Sequence, residues 1–268
     1  MKKIILNLMY FVFTISFLIV IYISFIFNPN NYKDQIINYV SSKTKYDFTY
    51  NGDIKMSLFP YTKILMPNIE LYKTSSDSKN MMITISKTEL SISLRKLMDN
   101  IVDVSDVRAY GFKYYGINAD NVLLKTYSLL KFSLFNTDHP NITTVKKMSA
   151  KANISENKMK VNDIYMETEM MEAKGSGTID MITKVVNFKM VGNIKKYDNI
   201  ISSYQNKYPE ELVGEELPII ISGELNNLSI SIDLKHIVIK KVTTIKEKAI
   251  ETIKEKVIDE LKEKIKLP

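Results

Sequence analysis

The sequence predicts a membrane-anchored, mainly β protein with helices near both ends, and three observations lead there. Residues Ile4 to Phe27 form one uncharged stretch of about two dozen residues behind Lys2 and Lys3, long enough to cross a bilayer as a helix. From Tyr46 onward the apolar period falls toward two, the period of a strand with one buried face. From Val242 to Ile265 the apolar residues recur every three or four positions among lysines and glutamates, the pattern of an amphipathic helix.

The first element reads as an uncleaved anchor. Its apolar run is longer than a signal-peptide core, and Ser24 is followed by Phe25, Ile26 and Phe27 with no small-residue cleavage site. Lys2 and Lys3 on the short flank keep the N-terminus in the cytoplasm and send the remaining chain across. Asn28-Pro29-Asn30-Asn31 then ends the spanning helix, because proline cannot continue the ladder and asparagine favours turns. Tyr32, Ile36, Ile37 and Val40 lie at near-helical spacing between Tyr32 and Lys45, predicting a short amphipathic helix just outside the bilayer.

Strands follow, interrupted by Asn51-Gly52-Asp53 and Phe59-Pro60. Leu90, Ile92 and Leu94 alternate with serines, Ile230, Ile232 and Leu234 with Ser229, Ser231 and Asp233, and each set makes one apolar face. Ile164, Met166 and Met170 share a parity, as do Val186, Phe188 and Met190, so several strands contribute to one apolar surface, which is either a core or a groove. The segment Asn121–Asn136 suits a helix or buried strands equally, and Pro140 marks a loop between two sheet segments. For Val242, Ile245, Ala249, Ile253, Val257, Leu261 and Ile265 the preferred reading is a helix capping one end of the sheet.

Composition excludes more than it assigns. A chain with no cysteine cannot use disulfides and must hold an extracytoplasmic body together by burial. The formal net charge of +7 comes from lysines scattered among acids, with no basic run interleaved with aromatics, so anionic headgroups are expected as the partner and nucleic acid is not. Catalysis has little support: the two histidines, His139 and His236, lack partners in sequence, and His139 reads as a solvated loop residue. Asp103 and Asp106 have no further ligand nearby to complete a metal site. Gly175-Ser176-Gly177 lacks the later glycine of a dinucleotide fingerprint and reads as a bend or bulge. The sequons at Asn141, Asn153 and Asn227 matter only in a eukaryotic secretory setting. No catalytic residue, metal or cofactor is expected.

Two regions resemble the AsmA-like proteins, which are inner-membrane-anchored envelope proteins of Gram-negative bacteria. The first comprises Asn28-Pro29-Asn30-Asn31-Tyr32 after the anchor, Lys43-Thr44-Lys45-Tyr46, the run Gly52-Asp53-Ile54-Lys55-Met56-Ser57-Leu58-Phe59-Pro60, and Asn68-Ile69-Glu70-Leu71. Asn28 stands where the family often has Asp, and Lys45 where it often has Gly. The second contains Gly175-Ser176-Gly177-Thr178-Ile179-Asp180 and Pro218-Ile219-Ile220-Ile221-Ser222-Gly223-Glu224-Leu225-Asn226-Asn227-Leu228, with Leu228 where a proline is usual.

The resemblance implies an extended, antiparallel-rich sheet that curls into an apolar groove, on an inner-membrane protein whose bulk lies in the periplasm. It also implies a part in phospholipid transport between membranes or in outer-membrane assembly, with phospholipid acyl chains as ligand. The expected groove residues are Leu90, Ile92, Leu94, Ile164, Met166, Val186, Phe188, Ile230 and Ile232. A dozen strands at about 5 Å each reach only roughly 60 Å, so this chain alone is not expected to bridge an envelope. The alternative is an envelope scaffold that binds other proteins through strand edges and carries no lipid. The expected division is 1–28 cytoplasmic start and anchor, 29–140 N-terminal sheet segment with its leading helix, 141–236 C-terminal sheet segment, and 237–268 amphipathic tail helix.

Overall fold

The computed structural model describes residues 2–26, 28–57, 62–75, 78–93, 102–130, 139–199, 204, 208–235, 237–239, 243, 246–247 and 250–256. The first element is the 25-residue helix α1 (Lys2–Ile26). Its side chains are described from Ile5 to Ile19 and at Tyr22, and all of them are exposed, Phe13 to 71%. Counted among the described residues, no helix is long and apolar enough to cross a membrane.

A single 3-10 turn, Pro29–Tyr32, follows and is capped by Asn28, whose Oδ1 accepts from Asn30 N at 3.0 Å. A carboxylate at this position would accept the same bond, so the exchange of Asp for Asn keeps the cap. The amide of Asn30 pairs with both backbone groups of buried Ile54: its Nδ2 donates to Ile54 O at 3.1 Å, and Ile54 N donates to its Oδ1 at 2.7 Å. This pair ties the exit of α1 to the β body.

Helix α2 (Lys33–Thr44) lies within a residue or two of its expected bounds. Ile36, Ile37 and Val40 are half-buried and the helix packs on β1 (Asp47–Tyr50), where Phe48 N donates to Ser41 Oγ at 3.0 Å. The helix ends on Lys45 at φ 59, a left-handed conformation that costs a residue with a Cβ about 1–2 kcal/mol relative to glycine. That is the physical reason for glycine at this position in the family pattern. Lys45→Gly is therefore expected to raise stability by about 1 kcal/mol. Urea unfolding of the detergent-solubilised chain checks it, and an unchanged or lower midpoint contradicts it.

Among the described residues the body is one antiparallel sheet of 11 strands. After β1 come β2 (Lys55–Ser57), β3 (Thr62–Ser75), β4 (Ser78–Ile92), β5 (Val102–Tyr115), β6 (Ile142–Ser155), β7 (Lys158–Glu167), β8 (Met171–Asp180), β9 (Val185–Ile194), β10 (Leu217–Glu224) and β11 (Asn227–Ile232). They pair in the order β1-β3-β4-β5-β6-β7-β8-β9-β10-β11, with β2 also on β3. Nearly every neighbour in space is a neighbour in sequence, as a meander of hairpins requires. The expected boundary at 140 falls in the connection between β5 and β6, and these two strands pair along their lengths from Val102↔Ile154 to Tyr115↔Ile142.

Every ladder from β3/β4 through β7/β8 contains a register shift. Each such irregularity bends its strand and adds right-handed twist. The accumulated curl brings β5 against the start of β11, six positions away in the sheet order: Leu228 N donates to Tyr114 Oη at 3.2 Å.

The segment read as helix or strand resolves as helix α3 (Ala119–Leu130), and residues 131–136 lie outside the described residues. Asn118 starts it, its Oδ1 accepting from Asn121 N at 3.0 Å, while Ala119 N donates to Thr143 Oγ1 at 3.0 Å. Leu123 and Leu124 are fully buried in a core with Ala150, Ile164, Met190 and Ile219.

Leu234 and Ile237 join that core, but residues 250–256 are helical and exposed, Ile253 to 61%. Among the described residues, α3 lies on the sheet with Leu123 and Leu124 fully buried, and α2 packs on β1. The other members of the expected tail stripe lie outside the described residues.

Candidate functional site

The inward side chains form rows across the curled sheet. One runs Ala152, Val161, Gly177, Phe188, Ile221, Ile230 from β6 to β11, each residue paired directly with the next. The adjacent row runs Ile164, Gly175, Met190, Ile219, Ile232 from β7 to β11. Aliphatic and aromatic residues of period two fill both rows because the pleat sends alternate side chains to one face.

The two glycines of β8 lie within these rows. A Cβ on Gly177 would sit 2.2 Å from Phe188 Cδ1 and 2.2 Å from Asn187 O, so only glycine lets Phe188 lie across this strand. The bulge read at this pair is on the facing strand: the register of β7 shifts between Val161 and Ile164, and Asp163 adopts φ 50.

Together the inward faces of β4 to β11 enclose a cavity of about 260 Å³. Among the described residues its lining holds no charged residue. Tyr114 and Thr143 carry the only polar side-chain atoms in the wall, and both are engaged: Thr143 Oγ1 donates to Ile117 O at 2.7 Å, and Tyr114 Oη accepts the Leu228 bond. Burial raises the Tyr114 hydroxyl above the ordinary tyrosine value, so it stays protonated at physiological pH. A proline at 228, usual in the family pattern, has no N–H to donate; leucine there makes the closing bond available.

Of the residues expected to form a groove, Ile164, Met166, Val186, Phe188 and Ile230 line this cavity. Ile232 is buried in the core under α3. Leu90 borders a separate, polar depression of about 330 Å³ with Lys63, Glu89 and Arg108. Ile92 is half-buried opposite Val104 and lies outside both cavities, and Leu94 is outside the described residues. At this end of β4 Ser91 pairs with Asp106 and Ile92 with Val104, which leaves Ser105 as an extra residue on β5. Sequence reasoning missed Tyr114, Leu225 and Leu228, which meet only because the sheet curls; no local period signals that contact.

The other half of the concave face is filled by α3, which is held by a buried polar anchor at its first turn. Asp120 Oδ1 accepts from Thr168 Oγ1 at 2.7 Å and Met170 N at 3.4 Å, and its Oδ2 from Glu169 N at 3.3 Å. Burial pushes this carboxyl up to about 6, against the lowering effect of those bonds. Two ion pairs flank the same β7–β8 turn, Lys195–Glu167 at 2.9 Å and Lys146–Glu169 at 3.1 Å. The Lys195 hydrogen bond holds the Glu167 carboxyl below the ordinary carboxylate range.

His139, read as a solvated loop residue, is instead half-buried, with its ring 4.4 Å from that of Tyr204. Its carbonyl accepts from Asn121 Nδ2 at 3.2 Å, so it secures the start of α3. His236 is outside the described residues. Asp103 accepts from Asn153 Nδ2, and Asp106 pairs with Arg108 at 2.9 Å. Among the described residues no group of three or more histidine, aspartate or glutamate side chains is arranged to hold a metal.

The AsmA family model matches residues 1–114, from the start of the chain through α1, α2 and the strands to Tyr114. No curated protein matches the chain.

Proposed function

We propose, from the premise that this chain is AsmA-like and so associated with the cell envelope or a membrane, that it is held in the inner membrane by α1 and handles phospholipid acyl chains on the concave face of its sheet. The single observation that carries the reading is the cavity of about 260 Å³ whose wall is apolar and whose two polar side chains are already engaged. Such a wall offers a polar substrate little beyond the Tyr114 hydroxyl proton, while apolar burial stabilises a hydrocarbon by roughly 25 cal/mol per Å² without directional contacts. The support for the anchor is the sequence, whose uncharged run from Ile4 to Phe27 would extend about 36 Å as a helix at 1.5 Å per residue, more than the ~30 Å of a hydrocarbon core. Lys2 and Lys3 orient it with the sheet in the periplasm. No catalytic step is part of this function.

A photo-crosslinking residue at Ile230 in the full chain, irradiated in cells, tests it. Phospholipid adducts are expected at Ile230 and not at Ile220, which is 49% exposed on the opposite face. Phe188→Glu is expected to lower the Ile230 adducts about tenfold, because a carboxylate cannot be buried against a chain without a partner.

A second reading, the envelope scaffold, is favoured by one feature: β11 is the last strand of the sheet and offers an edge for an added strand. Protein adducts at Ile230 without phospholipid would favour it and sink the first.

A further inference from the structure

We infer that the cavity takes one acyl chain of a phospholipid, to a depth of about ten carbons, and that α3 stops the chain there; this deepens the lipid-handling reading and rests on it. A groove that passes chains lengthwise must be continuous, and this one is not. Leu123, Leu124 and Tyr127 of α3 are 0%, 0% and 5% exposed, packed into the same curl of the sheet. Ala150, Val161 and Ile164 belong both to that packed core and to the cavity wall, so the cavity and the α3 core are adjoining compartments of one trough.

Volume sets the stoichiometry. An engineered apolar cavity of about 150 Å³ accommodates benzene, six carbons. In the same proportion, 260 Å³ accommodates about ten carbons, a portion of one chain and not two. The second chain of a phospholipid therefore stays outside, in the bilayer or against the rim. The position of α3 is also secured: Asp120 at its N-terminal turn accepts three hydrogen bonds from the β7–β8 turn, and Asn121 bonds the His139 carbonyl. A carboxylate that is 5% exposed with all three donors supplied by one turn fixes the helix to the far end of the trough.

The test uses the full chain in an amphipathic polymer and lysophosphatidylcholines with saturated chains of six to eighteen carbons, read by displacement of a fluorescent single-chain probe. Affinity is expected to rise about fourfold per added methylene up to about ten carbons and then to level off. A diacyl phosphatidylcholine should bind within about twofold of the lysophospholipid of equal chain length. Ala152→Leu, which adds three carbons to the cavity wall, should move the plateau about three carbons shorter while leaving the unfolding midpoint within a few degrees. A rise continuing to eighteen carbons, a diacyl lipid bound more than tenfold tighter, or a plateau unmoved by a folded Ala152→Leu would overturn the inference. Those three outcomes leave lipid handling intact, whereas absence of phospholipid adducts at Ile230 in cells removes the reading beneath it.

Discussion

Gly177→Val is expected to cost about 3 kcal/mol or more and to remove most of the folded population at 37 °C. The new Cβ would lie 2.2 Å from both Asn187 O and Phe188 Cδ1 and 2.7 Å from Phe188 Cα. The ring could move, but the carbonyl and the Cα belong to the ladder pairing Gly177 with Phe188 in the middle of the sheet. Relief therefore requires strand separation, not a rotamer change. Ser176→Val is the control, because Ser176 is exposed and pairs across the ladder with Lys189. A β-branched residue suits that position, and its effect should stay within about 0.5 kcal/mol. Denaturant unfolding of both variants, followed by circular dichroism, is the measurement. Equal midpoints for the two variants would mean that the close approach at Gly177 does not matter.

The second large effect is a pH dependence. Asp120 is buried, and burial raises its carboxyl from 3.8 to about 6 despite three hydrogen bonds. Because the folded value is above the unfolded one, the folded state binds the proton more tightly. Stability from this group is therefore fully present below about pH 4 and is lost as pH rises through 6. At about 1.4 kcal/mol per pKa unit the loss amounts to about 3 kcal/mol by pH 7.

The groups facing Asp120 are the Glu169 carboxylate, which raises it further, and Tyr204; Lys146 pairs with Glu169 and so moderates that repulsion. Glu167, on the same turn, works in the opposite sense. Its depressed carboxyl contributes stability above its unfolded value that disappears as pH falls through the folded one. The diagnostic quantity is thus the difference between wild type and Asp120→Asn. The variant keeps an acceptor for Thr168 and cannot ionise, so its stability between pH 4.5 and 7.5 should fall by about 2 kcal/mol less than that of the wild type. Parallel profiles would show that Asp120 does not carry the effect.

Much of the sheet was legible because the strand period is a local property. Val186, Phe188 and Met190 alternate with polar residues, and the alternation alone identifies the inward face of β9. At Ile164 and Met166 it succeeds as well, since both lie on the same side of the β7 bulge. At Leu90 and Ile92 it identifies an apolar face, but this end of β4 lies beyond the cavity, and Leu90 borders the polar depression instead. Helix α3 was ambiguous because Val122-Leu123-Leu124 and Leu129-Leu130 are short apolar runs. Its cap by Asn118 is local, but the bond from Ala119 N to Thr143 and the docking of Asp120 on Thr168 depend on partners far away in sequence. His139 was misread for the same reason, since its ring partner Tyr204 is brought to it by the fold.

The sequence by itself determined the apolar N-terminal helix, the run of strands and the inward sets of β7, β9 and β11, because each depends on composition and period over a few residues. Only the tertiary structure decided that the apolar surface is divided between a packed half under α3 and an apolar cavity closed by the Tyr114–Leu228 bond. That division follows from the twist added at successive register shifts and from one helix folding back onto the sheet. Both are sums over the whole chain, and no local pattern contains them.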